Sequence, residues 1–368
     1  MPTADAPRRP RRKRQGRVVF GVAGVGLALL GVVLAVTSDQ RSSSAMPPYD
    51  DVGFAMGYHA LVDPPHDVDR ALDRIAGLGA RWVRFDLNWS IVEAERGTRD
   101  WSLVDRFVDA ARERGLEVLA TIAYTPRWAR ADQGDDKRAP SDVRDYARFA
   151  RAAARRYPTD RVAAWELWNE PNSATFWAPR PDAEAYARLA TAAARAIHDE
   201  RADAVVMTGG LAPAGPDLDW ESPDGRFVSP WRFLRDVRAA GGLDEVDAVG
   251  FHPYAAQPSS PSDLDAANPF QQTRELRKLV DRTAPLPIWA TEAGAWTGGD
   301  RAISERAQTR HVAEYLDEWH AWPRSGPLFY YELTDEGNDP REREDHFGLL
   351  RADGTEKPAY ATFDELVG

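Results

Sequence analysis

The feature that most constrains this chain is an alternation. From residue 51 onward, short runs rich in β-branched, aromatic and small apolar residues recur at 52–58, 81–87, 117–123, 162–168, 204–210, 246–251, 287–293 and 327–333. Each is followed, directly or after a loop, by a segment whose apolar residues fall at helical spacing. Asp182 to Glu200 is the clearest helix, an Ala-rich stretch. Other helices carry start and stop signals: Ser102 with Asp105 three residues on and Gly115 at the end, Ser141 after Pro140, and Ser304 before an amphipathic run to Trp322.

Eight strand–helix units within residues 51–368 predict an α/β fold, a (β/α)8 TIM barrel, rather than an open doubly wound sheet. No G-x-G-x-x-G follows the first strand, which argues against a dinucleotide site. The seven His show no H-x-x-H-type pair on one helix, there is no Cys, and no G-x-S-x-G elbow is present. No metal, no cofactor and no Ser-His-Asp hydrolysis is therefore expected.

Charge divides the chain. Residues 1–17 hold seven basic side chains and one acid, so the remainder carries 40 basic and 57 acidic groups within a net charge of −11. An acidic body of that size disfavours nucleic acid and strongly anionic polymers as partners. Val18 to Val36 is an uncharged apolar run, and as a helix it would span roughly 28 Å, near the hydrocarbon thickness of a bilayer. The expected organisation is a basic cytoplasmic tail (1–17), a transmembrane anchor (18–36), a Ser- and Pro-containing linker (37–50) and an exported barrel (51–368). A signal peptide cleaved near Ser43-Ser44-Ala45 is the alternative, and it also exports the body.

In a barrel of this kind the reactive groups sit at the C-terminal ends of the strands. Those ends hold Asp86 and Asn88, Tyr124, Asn169 and Glu170, His252 and Tyr254, Glu292, and Glu332 with Asp335. Glu170 ends strand four and Glu292 ends strand seven, so their carboxylates can face each other across the mouth. A pair about 5–5.5 Å apart is what a retaining glycosidase needs: one group protonates the leaving oxygen and the other attacks the anomeric carbon.

The WNEP tetrapeptide at 168–171, with a matching strand-seven Glu, resembles the clan A glycoside hydrolases. The resemblance extends over residues 51–368. It includes Arg84 at the end of strand two, His252-x-Tyr254 on strand six and FGLLRADGTEKPAYATF at 347–363. TPRWA at 125–129 and the WELWNEPN context are most similar to family 39 and to family 5-like sequences.

The resemblance implies that Glu170 is the general acid/base and Glu292 the nucleophile. Asn169 would bond the sugar 2-hydroxyl, Tyr254 would donate to Glu292, Arg84 would keep that carboxylate ionised, and His252 would line the floor. Trp165 and Trp168 are candidates for an apolar wall that keeps Glu170 protonated. One departure stands out: clan members often carry a Trp at the end of strand eight, where this chain has Tyr330-Tyr331-Glu332-Leu333. Tyr331 is expected to stack on sugar in its place, or Glu332 to contact a sugar hydroxyl. Trp128 is a further sugar-stacking candidate, as are Trp89, Trp177, Trp220, Trp231 and Trp296, each with packing between loops as the plainer role.

The expected protein is a membrane-anchored retaining glycosidase. It would act outside the cytoplasm on a neutral or weakly charged polysaccharide, oligosaccharide or glycoconjugate. Transglycosylation through the same pair and a catalytically silent glycan-binding barrel are the alternatives, and the oligomeric state is left open.

Overall fold

The computed structural model describes residues 49, 51–131, 134–254, 268–282 and 285–368. The basic tail and the apolar run lie outside them, as does nearly all of the linker. None of the helices among the described residues is long and apolar enough to cross a membrane.

Eight parallel strands form one sheet: β1 (Val52–Ala55), β2 (Trp82–Asn88), β3 (Glu117–Ala123), β4 (Ala164–Asn169), β5 (Val205–Gly210), β6 (Val249–Phe251), β7 (Ile288–Ala293) and β8 (Ser325–Tyr330). Strand β1 pairs with both β2 and β8, and parallel bridges Met207–Ala248 and Leu211–Phe251 bring β5 against β6, so the sheet closes on itself. The main helices after each strand are α1 (Pro65–Gly77), α2 (Ser102–Glu113), α3 (Val143–Arg156), α4 (Ala183–His198), α5 (Pro230–Ala239), α6 (Pro269–Val280), α7 (Glu305–Ala321) and α8 (Pro358–Val367). This is the expected barrel.

The helix starts follow side-chain capping, which satisfies the otherwise orphaned first-turn N–H groups. Asp182 accepts from Ala185 N and Ser304 from Ala307 N, as their positions predict. Two starts differ. Asp142 rather than Ser141 caps α3, and Ser102 is the first residue of α2, with Asp100 accepting its N–H. The outer strand boundaries differ too. β1 ends at Ala55 because Gly57 turns with φ +51°, and β8 ends at Tyr330, leaving Glu332 and Leu333 beyond the strand.

Alternation sorts the side chains. Inside the barrel Ala55, Leu119, Ala164, Met207, Ala248, Trp289 and Phe329 form a packed floor, with Trp82 set edge-on to Trp289 at 5.4 Å. Outside it, Phe85 of β2 meets Phe107 of α2 at 4.6 Å, both fully buried. Each such ring contributes roughly 1.5–3 kcal/mol relative to exposure. Above the floor the interior turns polar, with Arg84, Thr121, Glu166, Thr208 and Thr291 all at 0% exposure. A charged layer there is costly unless it is fully paired, and its pairing builds the site.

Candidate active site

Arg84 is the centre of this layer. It is the third residue of β2 rather than the strand end expected from sequence, so its side chain climbs from within the barrel toward the mouth. Each guanidinium nitrogen has its own acceptor: Nε donates to Glu166 Oε2 at 2.7 Å, Nη1 to Glu292 Oε1 at 2.6 Å and Nη2 to Asn169 Oδ1 at 2.9 Å. Glu166 is completed by Thr121 Oγ1 at 2.6 Å and the Gly210 N–H at 2.9 Å. The cation thus ties together β2, β4 and β7.

Strand β4 presents its residues through a break in alternation. Trp165 packs outward and Glu166 inward, and then Trp168 adopts φ +79°. A bulky residue in that region is a true outlier, of a kind that costs about 1–3 kcal/mol and clusters at functional sites. The irregularity sends the Trp168 ring outward, edge-on to Trp177 at 5.3 Å and 6.0 Å from Tyr146, with its indole donating to Phe176 O. Asn169 then turns inward to Arg84, and Glu170, itself at φ +43°, reaches the mouth. Trp165 and Trp168 are both fully buried, and the Trp168 ring also meets Tyr124 edge-on at 5.5 Å.

The carboxylates of Glu170 and Glu292 meet around His252. One oxygen from each and one His252 ring nitrogen lie within 4.8 Å of one another. His252 Nδ1 stands 3.0 Å from Glu170 Oε1 and 3.4 Å from Glu292 Oε2, while Tyr254 OH donates to Glu292 Oε2 at 2.7 Å. Burial alone would raise the Glu292 pKa. The charges of His252 and Arg84, with the hydrogen bonds from Tyr254 and Arg84, outweigh it and hold the carboxyl below its ordinary value. Burial favours a neutral His252, but Glu292 and Glu170 outweigh it and raise the ring's pKa. This trio has the donor atoms of a metal site. Both Glu292 oxygens already accept protein hydrogen bonds, from Arg84 Nη1 and from Tyr254 OH.

Close approach makes one glycine necessary. A Cβ on Gly210 would stand 2.1 Å from His252 Nε2 and 2.5 Å from Thr291 Oγ1, so only glycine leaves room for the imidazole.

The other sequence-predicted residues separate. Tyr331 is at the site: its ring lies 6.1 Å from that of Tyr254, and its hydroxyl donates to Glu336 at 3.1 Å. Trp128 contacts Trp89 at 5.5 Å and Arg96 at 5.1 Å, and its indole donates to Glu93 O, so its partners are loop residues rather than the carboxylate pair. Trp89 and Trp177 are buried packing residues, unavailable for stacking on sugar. Asp86 lies at the mouth, its carboxyl pushed up to about 6 chiefly by burial and further by Glu292, against the opposing Arg84 and Lys137 charges. Glu166 and Thr121 escaped sequence reasoning. The available signal was a Glu at an inward position of an otherwise apolar strand.

A closed parallel barrel carrying this carboxylate pair on strands four and seven defines a clan A glycoside hydrolase. Residues 53–325 match the family described as Cellulase (glycosyl hydrolase family 5), and the chain belongs to that family. Solved structures agree. A family 39 glycoside hydrolase from the gut symbiont Bacteroides cellulosilyticus WH2 is 25% identical with a TM-score of 0.68, over 87% of this chain and 63% of that one. A family 39 β-xylosidase from Caulobacter crescentus is 20% identical, TM-score 0.64, over 87% and 71%. A GH5_18 protein from Streptomyces cattleya, in complex with GlcNAc, is 20% identical, TM-score 0.65, over 87% and 80%. The chain thus spans less than two thirds of the length of the first of these.

Proposed function

We propose that this protein is a retaining glycoside hydrolase working by double displacement, with Glu170 as acid/base and Glu292 as nucleophile. Glu170 gives its proton to the glycosidic oxygen as the Glu292 carboxylate attacks the anomeric carbon, forming a glycosyl-enzyme and releasing the aglycone alcohol. Glu170 then takes a proton from water as the water oxygen displaces Glu292, yielding a sugar of retained configuration. The observation that carries this reading is that an oxygen of Glu170 and an oxygen of Glu292 lie within 4.8 Å of one another, close to the spacing of a retaining pair. Arg84 and Tyr254 favour the ionised nucleophile, and Asn169, held by Arg84, presents its amide where the sugar 2-hydroxyl would lie.

The substrate in this reading is an extracytoplasmic polysaccharide or glycoconjugate. The basic tail and the apolar run Val18 to Val36 support an anchor with the N-terminus inside and the barrel outside. Protease accessibility of the barrel on intact cells, with mass spectrometry of its N-terminus, checks both placement and cleavage.

An aryl glycoside screen followed by NMR of the first-formed anomer tests the chemistry. Retention is expected, and an inverted product would sink the proposal. With Glu170→Ala, added azide is expected to restore turnover and give a glycosyl azide of retained configuration.

A further inference from the structure

Just past β8 lies a carboxyl group that the mechanism above does not use. Glu332 is 8% exposed, its Oε1 is buried without a hydrogen-bond partner, and no hydrogen bond or ion pair to its side chain occurs among the described residues. A buried acceptor left unmatched is unfavourable and marks a place where a donor is missing.

The location is the rim of the active site. Tyr331, the preceding residue, sets its ring 6.1 Å from that of Tyr254, whose hydroxyl is bonded to Glu292 at 2.7 Å. The largest charge effects on Glu332 come from acids, Glu336, Asp335, Glu344 and Glu292, and its field is felt by Tyr58, Tyr330 and Tyr331. Each of those four acids has its own cation: His59 for Glu336, Lys357 for Asp335, Arg343 for Glu344 and Arg84 for Glu292. None of those cations contacts Glu332. Burial and the neighbouring carboxylates raise its pKa well above the ordinary value.

Resting on the glycosidase reading, we propose that Glu332 anchors an acidic subsite for a protonated amine, so that the substrate is a glycan containing hexosamine units with free amino groups. A sugar hydroxyl could also reach Oε1. An ammonium, unlike a hydroxyl, is drawn by a body with 57 acidic against 40 basic groups after residue 17. It also supplies the charge-assisted bond that the orphaned oxygen lacks. On binding, the ammonium keeps its protons and donates to the Glu332 carboxylate, and any proton that Glu332 holds in the free protein leaves to solvent.

Isothermal titration of the full chain near pH ~6, where the free amine holds its proton, tests this. The probes are aminohexoses with the amine at C2, C3 or C6, each beside its N-acetyl counterpart, in two buffers of different ionisation enthalpy. The expected result is that at least one amine binds tenfold or more tightly than its N-acetyl partner, and that Glu332→Gln brings the pair within about twofold. Equal affinities in every pair, or a preference unchanged in Glu332→Gln, would overturn the proposal. Should that variant not fold, Glu332→Met takes its place with the same two outcomes. Because Glu170→Gln is expected to lose turnover yet keep the binding preference, failure of the glycosidase reading is seen separately.

Discussion

Arg84 Nη1 lies 2.6 Å from Glu292 Oε1, the shortest of three bonds that the guanidinium makes to three different side chains. One fully buried cation therefore sets the charge of Glu292 and, through Asn169 and Glu166, the position of strand β4. Removing it exposes two tasks at once.

Arg84→Met is expected to lower kcat/KM by about 10²–10³, the scale for deleting a preorganised charge at a reacting centre. It should also destabilise the fold by about 3–5 kcal/mol, because Glu166 stays buried without its cation. Urea unfolding alongside kinetics separates the two; an unchanged midpoint would mean that the pair does not hold the barrel.

Glu170→Gln is expected to reduce turnover of substrates with poor leaving groups by about 10²–10⁴, with a smaller loss for activated aryl glycosides. Equal losses on both would argue against an acid role.

Tyr254→Phe removes a hydrogen bond that helps hold the Glu292 pKa down. That pKa should rise, and the acidic limb of the kcat/KM–pH profile should move to higher pH. The linkage has the same sign. A depressed carboxyl stabilises the fold above its unfolded value and loses that contribution as pH falls through its folded value. The variant should therefore lose less stability on acidification than the parent.

Gly210→Ala places a methyl 2.1 Å from His252 Nε2. Overpacking of this kind costs typically about 1–3 kcal/mol, and displacement of the imidazole from Glu170 should lower kcat more than it raises KM. A fully active, equally stable variant would show that the ring can shift freely.

Lys357 Nζ donates to Asp335 Oδ1 at 2.7 Å, and both side chains are buried. Lys357→Met should cost about 3–5 kcal/mol, whereas a joint apolar replacement of both should recover most of that loss. Thermal unfolding of the two single variants and the double variant measures this. The bond ties the C-terminal segment, 347–363 in the sequence motif, to the loop after β8.

The barrel was legible in the sequence because its signal is local: strand runs, helical periodicity and capping residues each act over a few positions. Glu170 and Glu292 were legible for a related reason, since in a parallel barrel the strand end alone places a residue at the mouth. Glu166 was not, because an inward-facing Glu in an apolar strand has no meaning until Arg84, 82 positions earlier, is seen 2.7 Å away. Trp89 and Trp177 looked like sugar platforms by type, and only packing against Phe149 of α3 and Tyr186 of α4 buried them. Glu332 was noticed as a departure, but its isolation is a property of its neighbours. Whether a buried carboxyl is paired depends on which charges the fold brings near it and which of those are already taken. Residue type and strand order could thus be read one segment at a time, while charge pairing at the mouth required all eight strands to close.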